Sequence, residues 1–116
     1  MTTSQQRGQQ AETWACEYLQ AHGFQVLSRN YRLRGGELDL IGRDGDYLVF
    51  VEVRYRSSEA FGGALHSISL AKQQRIIRTA QHYLMRYPVD SPCRFDVLAI
   101  NHAQQITWIK NAFDTL

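Results

Sequence analysis

The dipeptide Asp44-Gly45 lies between two runs, roughly 36–43 and 46–56, in which apolar and polar residues alternate. Both central residues of a tight hairpin turn must accept positive φ, which Asp-Gly does readily, so the pair predicts a β-hairpin. With those two residues as the turn, Arg43 faces Asp46, Ile41 faces Leu48, Asp39 faces Phe50 and Glu37 faces Glu52. Alternation then places Glu37, Asp39, Ile41, Leu48, Phe50, Glu52 and Arg54 on one face. Leu38, Leu40, Val49, Val51 and Val53 take the other. Both faces are apolar near the turn, so both must be covered.

The far end of the first face is charged. Glu37 and Glu52 are read as direct neighbours, with Asp39 on the diagonal. Cross-strand neighbours have Cβ atoms about 5 Å apart, so like charges there are unfavourable. Arg54, a lysine from elsewhere or a divalent cation would compensate. Mg²⁺ prefers carboxylate oxygen and is often held by one or two carboxylates plus water and phosphate. Charged residues at a strand end are also commonly just solvated or paired with arginine, and one β-bulge would turn Asp39 or Glu52 to the opposite face.

Around this hairpin the chain reads αβββαββ. A helix is predicted over about Gln6 to His22, where Ala11, Trp14, Ala15, Tyr18, Leu19 and His22 recur three and four apart, with Gly23 to end it. Phe24–Leu27 reads as a strand, extending towards Tyr31. A loop over 57–67 containing Gly62-Gly63 precedes a second helix from about Ile68 to Arg86. Arg94–Ile100 and Gln105–Lys110 are the last strands. The expected architecture is a mixed sheet flanked by two helices, in a single domain spanning 1–116.

Bulk properties exclude several classes. The 116 residues are 44% hydrophobic and 21% charged, an ordinary globular composition. A net charge of +2 permits a nucleic-acid partner without demanding one. Cys16 and Cys93 form no CxxC pair, which argues against a zinc site or a disulfide scaffold; both are expected reduced and semi-buried. No apolar run approaches membrane-spanning length and no signal-peptide core is present, so a cytoplasmic protein is expected. No Walker-type phosphate loop occurs, the four histidines show no metal-ligand spacing, and Ser57-Ser58 has no histidine to make a triad. Trp14 and Trp108 sit in apolar patterns and are read as core, while Tyr31 and Tyr55 are better placed for nucleobase contact.

On the second helix Lys72, Arg75, His82 and Arg86 fall within a sector of about 80°, with Arg78 beside them. Such a stripe is either a solvated face or a phosphate-contacting one. Arg29, Arg32, Arg34 and Arg56 lie near the acidic end and would complete a basic rim.

Taken together, Gly8, Glu12 and Ala15, then Arg29-Asn30-Tyr31-Arg32, Gly36-Glu37-Leu38-Asp39-Leu40-Ile41, Val49-Phe50-Val51-Glu52-Val53, Arg56, Phe61-Gly62, Lys72 and Arg94-Phe95-Asp96-Val97 resemble the bacterial YraN-like family. That uncharacterised group has an endonuclease-like fold and is related in pattern to archaeal Holliday-junction resolvases and other PD-(D/E)xK nucleases. The resemblance implies a restriction-endonuclease-like fold and a Mg²⁺- or Mn²⁺-dependent nuclease acting on DNA, including branched DNA. It implies metal ligation by Asp39, Glu52 and the backbone carbonyl of Val53, with Glu12 reaching the same site. Arg32, Arg34, Arg56, Lys72 and Arg75 would contact the nucleic acid, and resolvase relatives imply a homodimer. One position departs from the motif: its lysine falls at Arg54. Arginine stays protonated, so Arg54 can hold a phosphate but cannot act as a base. Two alternatives follow: a non-catalytic nucleic-acid-binding module that has lost the lysine, and an interaction protein whose acidic cluster pairs with Arg54 and Arg56.

Overall fold

A computed structural model describes residues 3–56 and 68–114, without the side chains of Ser4 and Arg56. The loop expected over 57–67, with Gly62-Gly63, Ser57-Ser58 and His66, lies outside the described residues. Helix α1 covers Ser4–Ala21 and begins at a capping box, in which the Thr3 hydroxyl accepts from the Gln6 amide and the Gln6 side chain accepts from the Thr3 amide. Gly23, at φ 87°, turns the chain out of the helix. Strands β1 (Gln25–Leu33), β2 (Gly36–Asp44) and β3 (Tyr47–Arg56) follow, then helix α2 (Leu70–Arg86), β4 (Cys93–Asn101) and β5 (Ile106–Phe113). The element order αβββαββ is the expected one. β1 runs well past Leu27, and β5 extends three residues beyond Lys110.

The five strands form one mixed sheet in the order β1-β2-β3-β4-β5. Only β3 and β4 are parallel, and α2 lies in the connection between them. One core gathers under α1, where Ala15, Leu19, Leu40, Val49 and Leu98 are fully buried. The other lies under α2, where Ile41, Leu48, Phe50, Phe95 and Val97 meet Ile76 and Ala80. Phe50, Phe95 and Phe113 stack in succession at 5.4 and 5.1 Å. Trp14 and Trp108 pack against the α1-side core, as expected. Cys16 is buried, whereas Cys93 is exposed rather than semi-buried.

The hairpin register differs from the expected one. Asp44 still pairs with Tyr47, so Gly45 and Asp46 make the turn, with Gly45 at φ 61°. Ile41 therefore opposes Phe50 and Arg43 opposes Leu48, a shift of two residues. Because side chains alternate with period two, a two-residue shift preserves the faces: Ile41, Leu48 and Phe50 remain together, and so do Leu40, Val49 and Val51.

Further from the turn the faces do change. Leu38 was expected beside Leu40, but it packs in the α2-side core with Ile41. β1 changes in step: Arg29 pairs with Leu40 and lies towards α1, while Tyr31 pairs with Leu38 and packs towards α2. The reversal in both strands falls on the facing positions Asn30 and Asp39, and Asn30 has φ 55°. Beyond this point β2 no longer pairs with β3. The last rung is Leu40 with Val51; β2 continues against β1 to Gly36, and β3 continues against β4 to Arg56. The sheet thus opens into a fork with Asp39 at its base. The expected direct pairing of Glu37 with Glu52 does not occur.

On β4, paired with Val51 and one residue before the Glu52–Val97 pair, Asp96 is fully buried yet accepts four hydrogen bonds. They come from Arg94 Nε and Nη2, Trp108 Nε1 and the Asn111 amide, at 2.8–2.9 Å. A buried carboxylate is tolerated only with such compensation. Arg94 also reaches Asp44 at 2.7 Å, tying β4 to the hairpin turn.

Candidate acidic cleft and its basic rim

Where β2 and β3 separate, the Val53 amide loses its possible partner on β2. The Asp39 carboxylate replaces it: Oδ2 accepts from Val53 N at 2.9 Å. Val53, expected to offer its carbonyl, contacts the site through this N–H. Burial pushes the Asp39 carboxyl up to about 9, reinforced by the charge and hydrogen bond of Glu52 and by Glu37, against the lowering effect of the Val53 amide. Burial and the neighbouring carboxylates thus favour its protonated form, which a bound cation would displace.

Glu52 lies on the α2 side with its side chain 6% exposed. Its Oε2 is 2.8 Å from Lys72 Nζ and 3.6 Å from Arg54 Nη1. Lys72, in the first turn of α2, thus reaches the motif's second carboxylate. Ser69 caps that turn by accepting from the Lys72 amide at 3.1 Å, which fixes where the side chain starts.

Glu12 enters from α1, on the other side of the sheet. It lies 4.0 Å from Arg29. Burial raises its pKa, the Asn30 side chain lowers it by hydrogen bonding, and the Glu37 charge raises it further. Burial also opposes ionisation of Glu37, but hydrogen bonds from Arg32 and Asp39 and the charges of Arg32 and Lys72 hold it below the usual range. The Arg32–Glu37 bond is 2.6 Å.

Carboxylate oxygens of Glu12, Glu37 and Asp39 all lie within 4.8 Å of one another. Such a set could share one hard cation, and the Asp39 and Glu12 carboxyls, raised chiefly by burial and then by neighbouring carboxylates, would be relieved by one. The set holds Asp39 and Glu12 and adds Glu37, which the hairpin had placed only as a neighbour; Glu52 is not one of its three members and meets it through Asp39 while pairing with Lys72. Asn30 carried no sequence signal beyond its place in the Arg29–Arg32 motif; its sign was an asparagine inside a strand, the non-glycine type most tolerant of positive φ.

A cleft of about 480 Å³ opens over these groups, lined by Arg32, Leu33, Gly35, Gly36, Glu37, Asp39, Glu52, Lys72, Arg75 and Ile76. Its walls are the β1–β2 turn and the first turns of α2. Arg34 is exposed in that turn, while the Arg56 side chain lies outside the described residues. Along α2, Arg75, Arg78, His82 and Arg86 are exposed, and His82 Nδ1 is 2.9 Å from the Tyr31 hydroxyl. Tyr55 is 37% exposed, whereas Tyr31 is half-buried against Tyr83. Among the described residues no helix is long and apolar enough to cross a membrane.

Comparison with known proteins matches residues 11–100 to the uncharacterised protein family UPF0102. A UPF0102 protein of Janthinobacterium sp. (strain Marseille) is 53% identical over 113 residues, covering 97% of this chain and 91% of the relative. One from Nitrosomonas europaea is 52% identical over 116 residues, covering 98% of each chain. One from Legionella pneumophila is 48% identical over 114 residues, covering 96% of this chain and 97% of the relative. With most of its length matched at this identity, the chain belongs to the UPF0102 family, the YraN-like group that its motifs resemble.

Proposed function

We propose that this protein is a metal-dependent nuclease that hydrolyses phosphodiester bonds in DNA, with a restriction-endonuclease-like fold and the acidic fork as its active site. The observation that carries the reading is the approach of Lys72 to Glu52 at 2.8 Å, beside Asp39 at the point where the strands part. The motif's lysine position holds arginine, and α2 brings an ammonium to the same carboxylate from elsewhere in the chain. Asp39, Glu12, Glu37 and Glu52 would hold Mg²⁺ or Mn²⁺. Bound there, the ion supplies an activated water and charge stabilisation at the scissile phosphate. Lys72 orients that water and Arg54 holds a phosphate oxygen, while Arg32, Arg34 and Arg75 line the approach of the backbone. The resemblance of its motifs to Holliday-junction resolvases extends the same reading to branched DNA and a symmetric pair of chains.

A second reading is a nucleic-acid-binding module without turnover. It is favoured by the two cations, Lys72 and Arg54, that already neutralise Glu52. Cleavage of linear, nicked and four-way DNA with Mg²⁺ or Mn²⁺ separates the two. We expect wild type to cut, Glu52→Ala to lose cleavage, and Lys72→Ala to fall about a hundredfold or more. Cleavage that survives Glu52→Ala would sink the proposed site. An inert wild type that gains activity as Arg54→Lys supports the binding module.

A further inference from the structure

We propose that Asn30 is the positioning residue of the acidic cluster: its left-handed backbone reverses β1 in step with Asp39, and its carboxamide orients the Glu12 carboxylate towards Asp39. The inference rests on the nuclease reading for its consequence but on the strands for its geometry.

Asn30 faces Asp39, between the rungs Arg29 with Leu40 and Tyr31 with Leu38. An uninterrupted strand would put Arg29 and Tyr31 on one face; here they lie on opposite faces. A residue at φ 55° accomplishes that reversal, and β2 makes the matching change at Asp39. The two strands thereby keep their register while Asp39 leaves the face of the sheet and enters the fork. Glycine would satisfy the backbone equally well. Asparagine adds a polar side chain that hydrogen-bonds Glu12, a carboxylate oxygen of which lies within 4.8 Å of those of Glu37 and Asp39. Arg29, one residue earlier, stands only at 4.0 Å from Glu12. Asn30 is a positioning residue and not a catalytic one; it acts through Glu12 and Asp39.

The test uses the full chain as wild type, Asn30→Gly, Asn30→Ala, Glu12→Ala and the Asn30→Gly/Glu12→Ala double variant. Mn²⁺ affinity is read by calorimetry, kcat and KM on four-way DNA, and unfolding midpoints without metal. Asn30→Gly keeps the backbone and removes the amide. It is expected to weaken Mn²⁺ binding about tenfold and to lower kcat with little change in KM, as loss of a ligand's outer hydrogen-bond partner does. The double variant should lose no more than Glu12→Ala alone. Asn30→Ala, which also strains the backbone, should have the lower midpoint of the two Asn30 variants. Wild-type binding and kcat in Asn30→Gly would overturn the proposal, as would an undiminished tenfold loss in the Glu12→Ala background. If wild type neither binds Mn²⁺ nor cuts, the nuclease reading fails, and the metal-free midpoints decide Asn30. Shifts of Asn30→Gly and Glu12→Ala that do not add support it, and additive shifts overturn it.

Discussion

Asp39 Oδ2 accepts the Val53 amide hydrogen at 2.9 Å, so a side chain occupies the place of a backbone carbonyl in the β2–β3 ladder. The carboxyl there is pushed up to about 9, chiefly by burial and then by Glu52, and asparagine is a close mimic of its protonated form. Asp39→Asn should therefore leave metal-free stability within about 1 kcal/mol of wild type while abolishing Mn²⁺ binding. Asp39→Ala removes the acceptor and should cost about 1–3 kcal/mol. Urea unfolding with and without Mn²⁺ measures both; equal destabilisation by the two variants would contradict the assignment.

Gly36 lies close against α2, facing Thr79 and the Arg75 carbonyl. A Cβ there would overlap the Thr79 hydroxyl and approach the Arg75 carbonyl to 3.3 Å. Gly36→Ala is expected to destabilise by about 1–3 kcal/mol through overpacking. Thr79→Ala in the same chain should recover part of that loss. If the double variant unfolds no later than Gly36→Ala, the close approach is not the cause.

Asp96 ties β4 to β5, and through Arg94 to the hairpin turn. Removing its charge as Asp96→Ala leaves the Arg94 guanidinium, 12% exposed, with Asp44 and the Tyr47 ring but without the buried carboxylate, and leaves the Trp108 and Asn111 donors without their acceptor. A loss of about 3–5 kcal/mol is expected from breaking a buried pair on one side. Chemical denaturation reads it directly, and a loss below about 1 kcal/mol would show that the network contributes little.

Asp44 titrates in a predictable direction. Its carboxyl is held below the usual range, first by the hydrogen bond from Arg94, which outweighs burial, and further by Lys110. The lowered folded-state value means that this contribution is present above the unfolded value of about 4 and disappears as pH falls through the folded one. Asp44→Asn should flatten the acid limb of stability below about pH 4 and lower the midpoint at neutral pH. Thermal unfolding from pH 7 to pH 2 checks both; an unchanged acid limb would remove Asp44 from the account.

Much of this architecture was legible because it follows from short-range chemistry. Asp44-Gly45 announced the hairpin, and the alternation through Ile41, Leu48 and Phe50 announced which residues share a core. The turn itself moved by one position, to Gly45-Asp46, because Asp44 still pairs with Tyr47. That error was harmless to the faces, since period two forgives a two-residue slip. Leu38 was assigned to the wrong face because alternation assumes an unbroken strand, and no pattern of apolar residues reports the φ of Asn30. The meeting of Lys72 with Glu52 depends on where the β3–β4 connection lays α2 across the sheet, which local spacing does not encode. Glu12 and Glu37 lie 25 residues apart and come together only when α1 docks beside the fork.

The fork gives the protein a built-in spectroscopic gauge. The Val53 amide proton is sheltered by a carboxylate that protons and cations also seek, rather than by a neighbouring strand's carbonyl. Its exchange with solvent deuterium should respond to occupancy of the acidic cluster, while the amides of the Leu40–Val51 rung beside it stay comparatively indifferent. A single backbone resonance would then distinguish the filled site from the empty one before any substrate is known.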